Sequence, residues 1–123
     1  MSLLIGAVAL FMTAAAAPRC EPIGLHRITG YAVGDYPGLT YDGTSTTQAI
    51  ARGEKIAAAS WDIPIGTRLR VQGLDYSYRV ADRGMLGSSG WIDVLVKDRA
   101  TAYKLAEWVG GTHANVCVER WGG

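Results

Sequence analysis

Hydrophobic and polar residues alternate in short stretches along most of this chain. From His26 to Val33, Ile28, Gly30 and Ala32 alternate with Arg27, Thr29 and Tyr31, the period-two pattern of a half-buried strand. Lys55 to Ser60 is short and apolar. Asp62-Ile63-Pro64-Ile65-Gly66-Thr67 reads as a turn leading into a further alternation, with Leu69 and Val71 on one face and Arg68 and Arg70 on the other. Gly73-Leu74-Asp75 turns the chain, and Tyr76, Tyr78 and Val80 alternate with Ser77, Arg79 and Ala81 to complete a hairpin. Trp91 to Val96 and Asn115 to Glu119 predict two more strands. Gly34 to Gln48 and Arg83 to Gly90 read as loops, and the length of the first favours a functional role. One segment departs from this pattern. Ala102, Leu105, Ala106 and Val109 fall at helical spacing, Asp98 can cap their N-terminus, and Gly110-Gly111 can end the helix. The order predicts an all-β domain, a small six-stranded β-barrel with one short α-helix over about residues 98–109.

Composition narrows the context. The chain has 123 residues, with 12 Lys and Arg against 11 Asp and Glu, a formal net charge of +1. That length suits one domain, and that balance argues against nucleic-acid or anionic-membrane partners, which call for a basic excess. Met1 to Ala17 carries no charge, and its apolar run ends in Thr13-Ala14-Ala15-Ala16-Ala17-Pro18. This predicts a signal peptide over residues 1–17, export, and a mature domain over residues 18–123. The apolar run is shorter than the roughly 20 residues of a membrane-spanning helix; the alternatives are an uncleaved anchor or a buried helix. In an exported chain, Cys20 and Cys117, the only cysteines, favour a disulfide over two buried thiols. Neither they nor His26 and His113 have the spacing of a metal site, so no metal and no cofactor is expected.

No Gly-x-Ser-x-Gly elbow, phosphate loop or aspartic-protease triplet is present. The carboxylates carry more. Asp82 ends the Tyr76–Val80 strand and shares parity with Tyr78 and Val80, which predicts that it points with the apolar face. Asp93 lies between Ile92 and Val94, on a face with Trp91 and Leu95. Apolar neighbours desolvate a carboxylate and raise its pKa, and a second carboxylate nearby raises it further. A carboxylic acid kept protonated can donate to a glycosidic oxygen. The bland alternative pairs Asp93 with Arg79 or Arg83 as a loop clamp. Among the aromatics, Tyr31, Tyr41, Trp61 and Trp91 lie where they could stack on sugar rings or fill the core. Arg83 and Ser88, in the loop after Asp82, are candidate polar contacts.

Ser60-Trp61-Asp62-Ile63-Pro64-Ile65-Gly66-Thr67-Arg68-Leu69, Tyr78-Arg79-Val80-Ala81-Asp82-Arg83-Gly84 and Trp91-Ile92-Asp93-Val94 together resemble the 3D domain, a family named for its three aspartates. The likeness runs from about Arg27 to Arg120, and its strongest element is the pair Asp82 and Asp93, 11 residues apart. That family forms the catalytic part of membrane-bound lytic transglycosylase A. The resemblance implies a double-psi β-barrel and cleavage of peptidoglycan glycan strands between N-acetylmuramic acid and N-acetylglucosamine. It implies Asp93 as the acid/base, Asp82 as its supporting carboxylate and Asp62 as the candidate third aspartate. Asp82-Arg83-Gly84 also resembles rare lipoprotein A, a related barrel; that family's assisting His is absent, because Ser60 follows Ala58-Ala59. The basic Lys usual in the family's loop after the second Asp is missing too, and so is the extra domain that builds the larger enzyme's groove. A non-catalytic wall-binding module of the barwin or expansin type is the competing expectation, and a wall-associated protein partner is left open.

Overall fold

The computed structural model describes residues 19–34, 38–84 and 89–123. The signal peptide expected over residues 1–17 and the candidate contact Ser88 lie outside them. Six strands occur in the order β1 (Glu21–Ala32), β2 (Ile56–Ala59), β3 (Arg68–Val71), β4 (Ser77–Asp82), β5 (Trp91–Val96) and β6 (His113–Arg120). Helix α1 (Thr46–Arg52) precedes β2, and helix α2 (Arg99–Val109) joins β5 to β6. The strands close into a barrel in the order β1-β5-β2-β4-β3-β6, so that β6 returns to β1. β1 pairs with β5, and β2 with β4, in parallel; the other pairs are antiparallel. This is the small six-stranded β-barrel expected, and α2 ends where Gly110 takes the left-handed conformation at φ 78°.

The inward positions supply the main core. Ile28, Leu69, Val71, Val80, Ile92, Val94, Val116 and Val118 pack inside the barrel with Ala57, Ala59 and the ring of Tyr78. Removing this apolar surface from water is the dominant favourable term in the fold. α2 covers β1 with Ala102 and Leu105. Gly30 makes that approach possible: a β-carbon there would lie 2.6 Å from Leu105 Cδ1.

A second, smaller cluster lies outside the barrel wall. Tyr31, Ala49, Ile56, Ala58, Ala81 and Leu95 are buried together where α1 lies against the strands. All four residues of β2 are therefore buried, one face inside the barrel and the other under this cover. α1 begins within the segment that the sequence reads as the loop Gly34–Gln48. Ser45 caps it by accepting from the Gln48 N–H at 3.2 Å, and Gly53 closes it at φ 72°. β1 also starts earlier than His26, because Glu21 to Arg27 pair with β6.

Two further features matter for the site. Cys20 and Cys117 form the expected disulfide, tying the start of β1 to β6. β4 carries a bulge: Ala57 pairs with Val80 but Ala58 pairs with Asp82, so Ala81 has no partner on β2. Among the described residues, no helix is long and apolar enough to cross a membrane.

Candidate active site

The bulge re-aims Asp82. Simple alternation points it inward with Tyr78 and Val80. Instead Ala81 and Asp82 both face the outer wall, and Ala81 joins the outer cluster. The parity expectation fails because the extra residue shifts the phase of the strand.

The pairing registers then align one row of side chains across four strands. Thr29 on β1 lies opposite Asp93 on β5, Asp93 opposite Ala58 on β2, and Ala58 opposite Asp82 on β4. The two aspartates that lie 11 residues apart in sequence thus share one face, two strand spacings or roughly 10 Å apart. The small side chain of Ala58 lies between them.

Asp93 is half-buried. Its Oδ1 accepts from the Thr29 hydroxyl at 2.9 Å, and Thr29 in turn accepts from the Trp91 indole N–H at 2.7 Å. Burial pushes the Asp93 carboxyl above the usual carboxylate range. The Thr29 hydrogen bond pulls it down, the nearby Asp82 charge pushes it up, and the net shift is upward. Neither arginine of the clamp alternative neutralises it. Arg79 is paired with Asp42 at 2.6 Å and with Glu54 at 3.8 Å. Asp42 itself resists burial through bonds from Thr40, Thr44 and Arg79, which hold it down to about 2. Arg83 donates to the carbonyls of Ala59 at 3.2 Å, Ser60 at 2.9 Å, and Ile63.

Asp82 is an acceptor for three donors. The Tyr41 N–H and its neighbour Arg83 N–H each reach Oδ1 at 2.9 Å, and the Tyr31 hydroxyl lies 3.4 Å from Oδ2. The loop that carries Tyr41 is tied to the bulge itself, since Asp42 N–H donates to the Ala81 carbonyl at 3.1 Å. Tyr31 is not a stacking surface, as the sequence allows, because the outer cluster buries it to 5 % exposure. Burial, then Asp82, then Asp93 push its phenol upward, so it stays a neutral donor.

At the Asp82 end of this row, where the Tyr41 N–H bonds Asp82, stands an exposed aromatic shelf. Trp61 is 66 % exposed and Tyr41 62 %. Their rings meet edge to face at 5.6 Å. The Arg83 guanidinium lies 4.9 Å over the Trp61 ring, so this arginine braces the shelf from a half-buried position. Trp91 is half-buried on the other side, with Arg27 4.5 Å over its ring. Asp62 sits exposed beside Trp61 and takes no part in the hydrogen-bonded row.

Thr29 is the site residue that sequence reasoning does not single out, and for Tyr41, a stacking candidate, it misses the backbone N–H donated to Asp82. Thr29 carries the alternation of its strand, but only the β1–β5 register brings it to Asp93. Among the described residues no three His, Cys, Asp or Glu side chains converge as a metal site would require. No protein-family model matches the chain, and no curated protein matches it.

Proposed function

We propose that this chain is an exported lytic transglycosylase that cleaves the β-1,4 bond between N-acetylmuramic acid and N-acetylglucosamine in peptidoglycan. One observation carries the reading: a half-buried, protonation-prone Asp93 shares the outer wall with Asp82, and Asp82 is bonded by the Tyr41 N–H of an exposed Tyr41–Trp61 shelf. Protonated Asp93 donates its proton to the glycosidic oxygen, and the bond from that oxygen to the anomeric carbon breaks. The C6 hydroxyl of the same muramic acid residue attacks the anomeric carbon and loses its proton to Asp93. The product is a 1,6-anhydro sugar, and Asp93 is returned to its protonated form. The nucleophile is intramolecular, so one acid/base suffices and little entropy remains for the protein to remove. Asp82 keeps a second charge near Asp93 and favours its protonated form. The Cys20–Cys117 bridge supports an oxidising compartment and so supports export.

The shelf alone favours a second reading, a wall-binding module without chemistry. Purified peptidoglycan is digested with the disulfide-bonded protein and the soluble products are weighed by mass spectrometry. Anhydro muropeptides are expected, and Asp93→Asn is expected to reduce them by about a hundred-fold or more. Retention on the wall without any soluble product would establish the binding module instead.

A further inference from the structure

At the opposite end of β4 from Asp82 the surface opens into a cleft of about 330 Å³, lined by Gly73, Leu74, Asp75, Tyr76, Tyr78 and Trp108. It lies where the β3–β4 turn meets the last turn of α2. Gly73 sets its width: at φ 96°, a β-carbon there would lie 2.4 Å from the Trp108 carbonyl oxygen. The volume falls at the lower end of the range for small-molecule sites.

The lining has two kinds of group. Trp108 is 50 % exposed and Tyr76 52 %, so both offer aromatic surface to a ligand, although Lys55 covers one face of Tyr76 at 4.4 Å. Tyr78 is the unusual member. Its ring is packed in the barrel core and the residue is only 5 % exposed, yet no hydrogen bond to its hydroxyl forms among the described residues. The ring is buried but the hydroxyl is not: among the described residues, the buried polar side-chain atoms without a partner are Ser60 Oγ and Arg83 Nε, so the Tyr78 O–H opens to solvent in the cleft. The Asp75 carboxylate is nearby. Aromatic faces beside an unused hydroxyl and a carboxylate match a pyranose ring, which presents C–H faces and hydroxyl groups together.

We propose that this cleft is a carbohydrate-binding subsite separate from the Asp93 row, with Trp108 stacking on a sugar ring and Tyr78 and Asp75 hydrogen-bonding its hydroxyls. Ser77 and Asp82 stand at the two ends of β4, about 17 Å apart, so a sugar held here is several residues along a glycan from any sugar at Asp93. The inference follows from the chemistry of the cleft and does not require Asp93 to cleave anything.

The test is a heteronuclear NMR titration of the isotope-labelled, disulfide-bonded protein with chitotetraose. The indole signals report Trp108 and Trp61 separately. A saturable shift of the Trp108 indole is expected, weakened about ten-fold by a Trp108→Ala change, read on backbone signals of the β3–β4 turn. Tyr78→Phe, which keeps the ring in the core, is expected to weaken binding about five-fold, the worth of one hydrogen bond. A Trp108 signal that stays still while Trp61 shifts would overturn the subsite and leave the shelf standing. Wild-type affinity in Tyr78→Phe would overturn the role of its hydroxyl. Anhydro-product formation is a separate readout, so loss of the catalytic reading does not touch this result.

Discussion

Asp93 owes its character to three influences at once. Burial raises its pKa, Thr29 lowers it and Asp82 raises it. Removing the Thr29 hydroxyl takes away a donor to the charged form, so Thr29→Val is expected to raise the Asp93 pKa further. The alkaline limb of the pH–rate profile then moves to higher pH, which a merely structural role for Thr29 would not produce. The same balance affects stability. A carboxyl whose folded pKa exceeds its unfolded value of about 3.9 lowers stability as pH rises above that unfolded value, with the full cost present above the folded pKa. Asp93→Asn is therefore expected to raise Tm at neutral pH, with the gain fading as pH falls toward that unfolded value; thermal melts across pH check it. At this scale the partial burial of Asp93 was legible, because Trp91 and Leu95 share its parity. The sequence could not show that Tyr31 is buried or that Asp82 faces outward. Those depend on a helix cover and a bulge that no alternation encodes.

Among the elements, α1 is the one that alternation misses. Thr46 to Arg52 is too short for a clear helical stripe, and its Thr-rich start resembles a loop. Its signature was nevertheless present: Ser45 and Gln48 stand at the spacing of a capping box, and Gly53 stops the helix. The short helix depends strongly on that cap. Ser45→Ala is expected to cost about 1 kcal/mol, measured as a lower urea midpoint with unchanged slope. Activity should fall with it, since α1 covers Tyr31, which in turn reaches Asp82. α2 and the strands other than β2 were legible because each buries mainly one face, whereas β2, buried on both, shows only as a short apolar run. Leu69 and Val71, or Ala102 and Leu105, keep a period that burial then honours. β1 was read short because its N-terminal half is largely exposed and is held by pairing with β6, which leaves little hydrophobic signal.

For the whole molecule, closure is what the sequence conceals. Strand order β1-β5-β2-β4-β3-β6 brings distant segments side by side, and only that order places Thr29, Asp93, Ala58 and Asp82 in one row. The disulfide supports closure from outside the core. Its cysteines are separated by 97 positions, and a loop of that length is worth about 4–5 kcal/mol in the chain-entropy model. Domains are commonly stable by only about 5–15 kcal/mol. Reduction is therefore expected to remove a large share of that margin, seen as a large fall in urea midpoint with dithiothreitol.

The bulge at Ala81 makes residue count, more than residue identity, the quantity that must be preserved here. Deleting one residue from β4 would give a more regular ladder with β2, yet it would rotate the carboxylate from the outer wall into a packed apolar interior, where an unpaired charge is very costly. Many substitutions around residue 81 leave the phase of the strand untouched, while any single deletion reverses it. A site built this way can vary in its side chains over evolutionary time but is closed to changes of length, because local regularity and the chemistry of the wall require opposite frames.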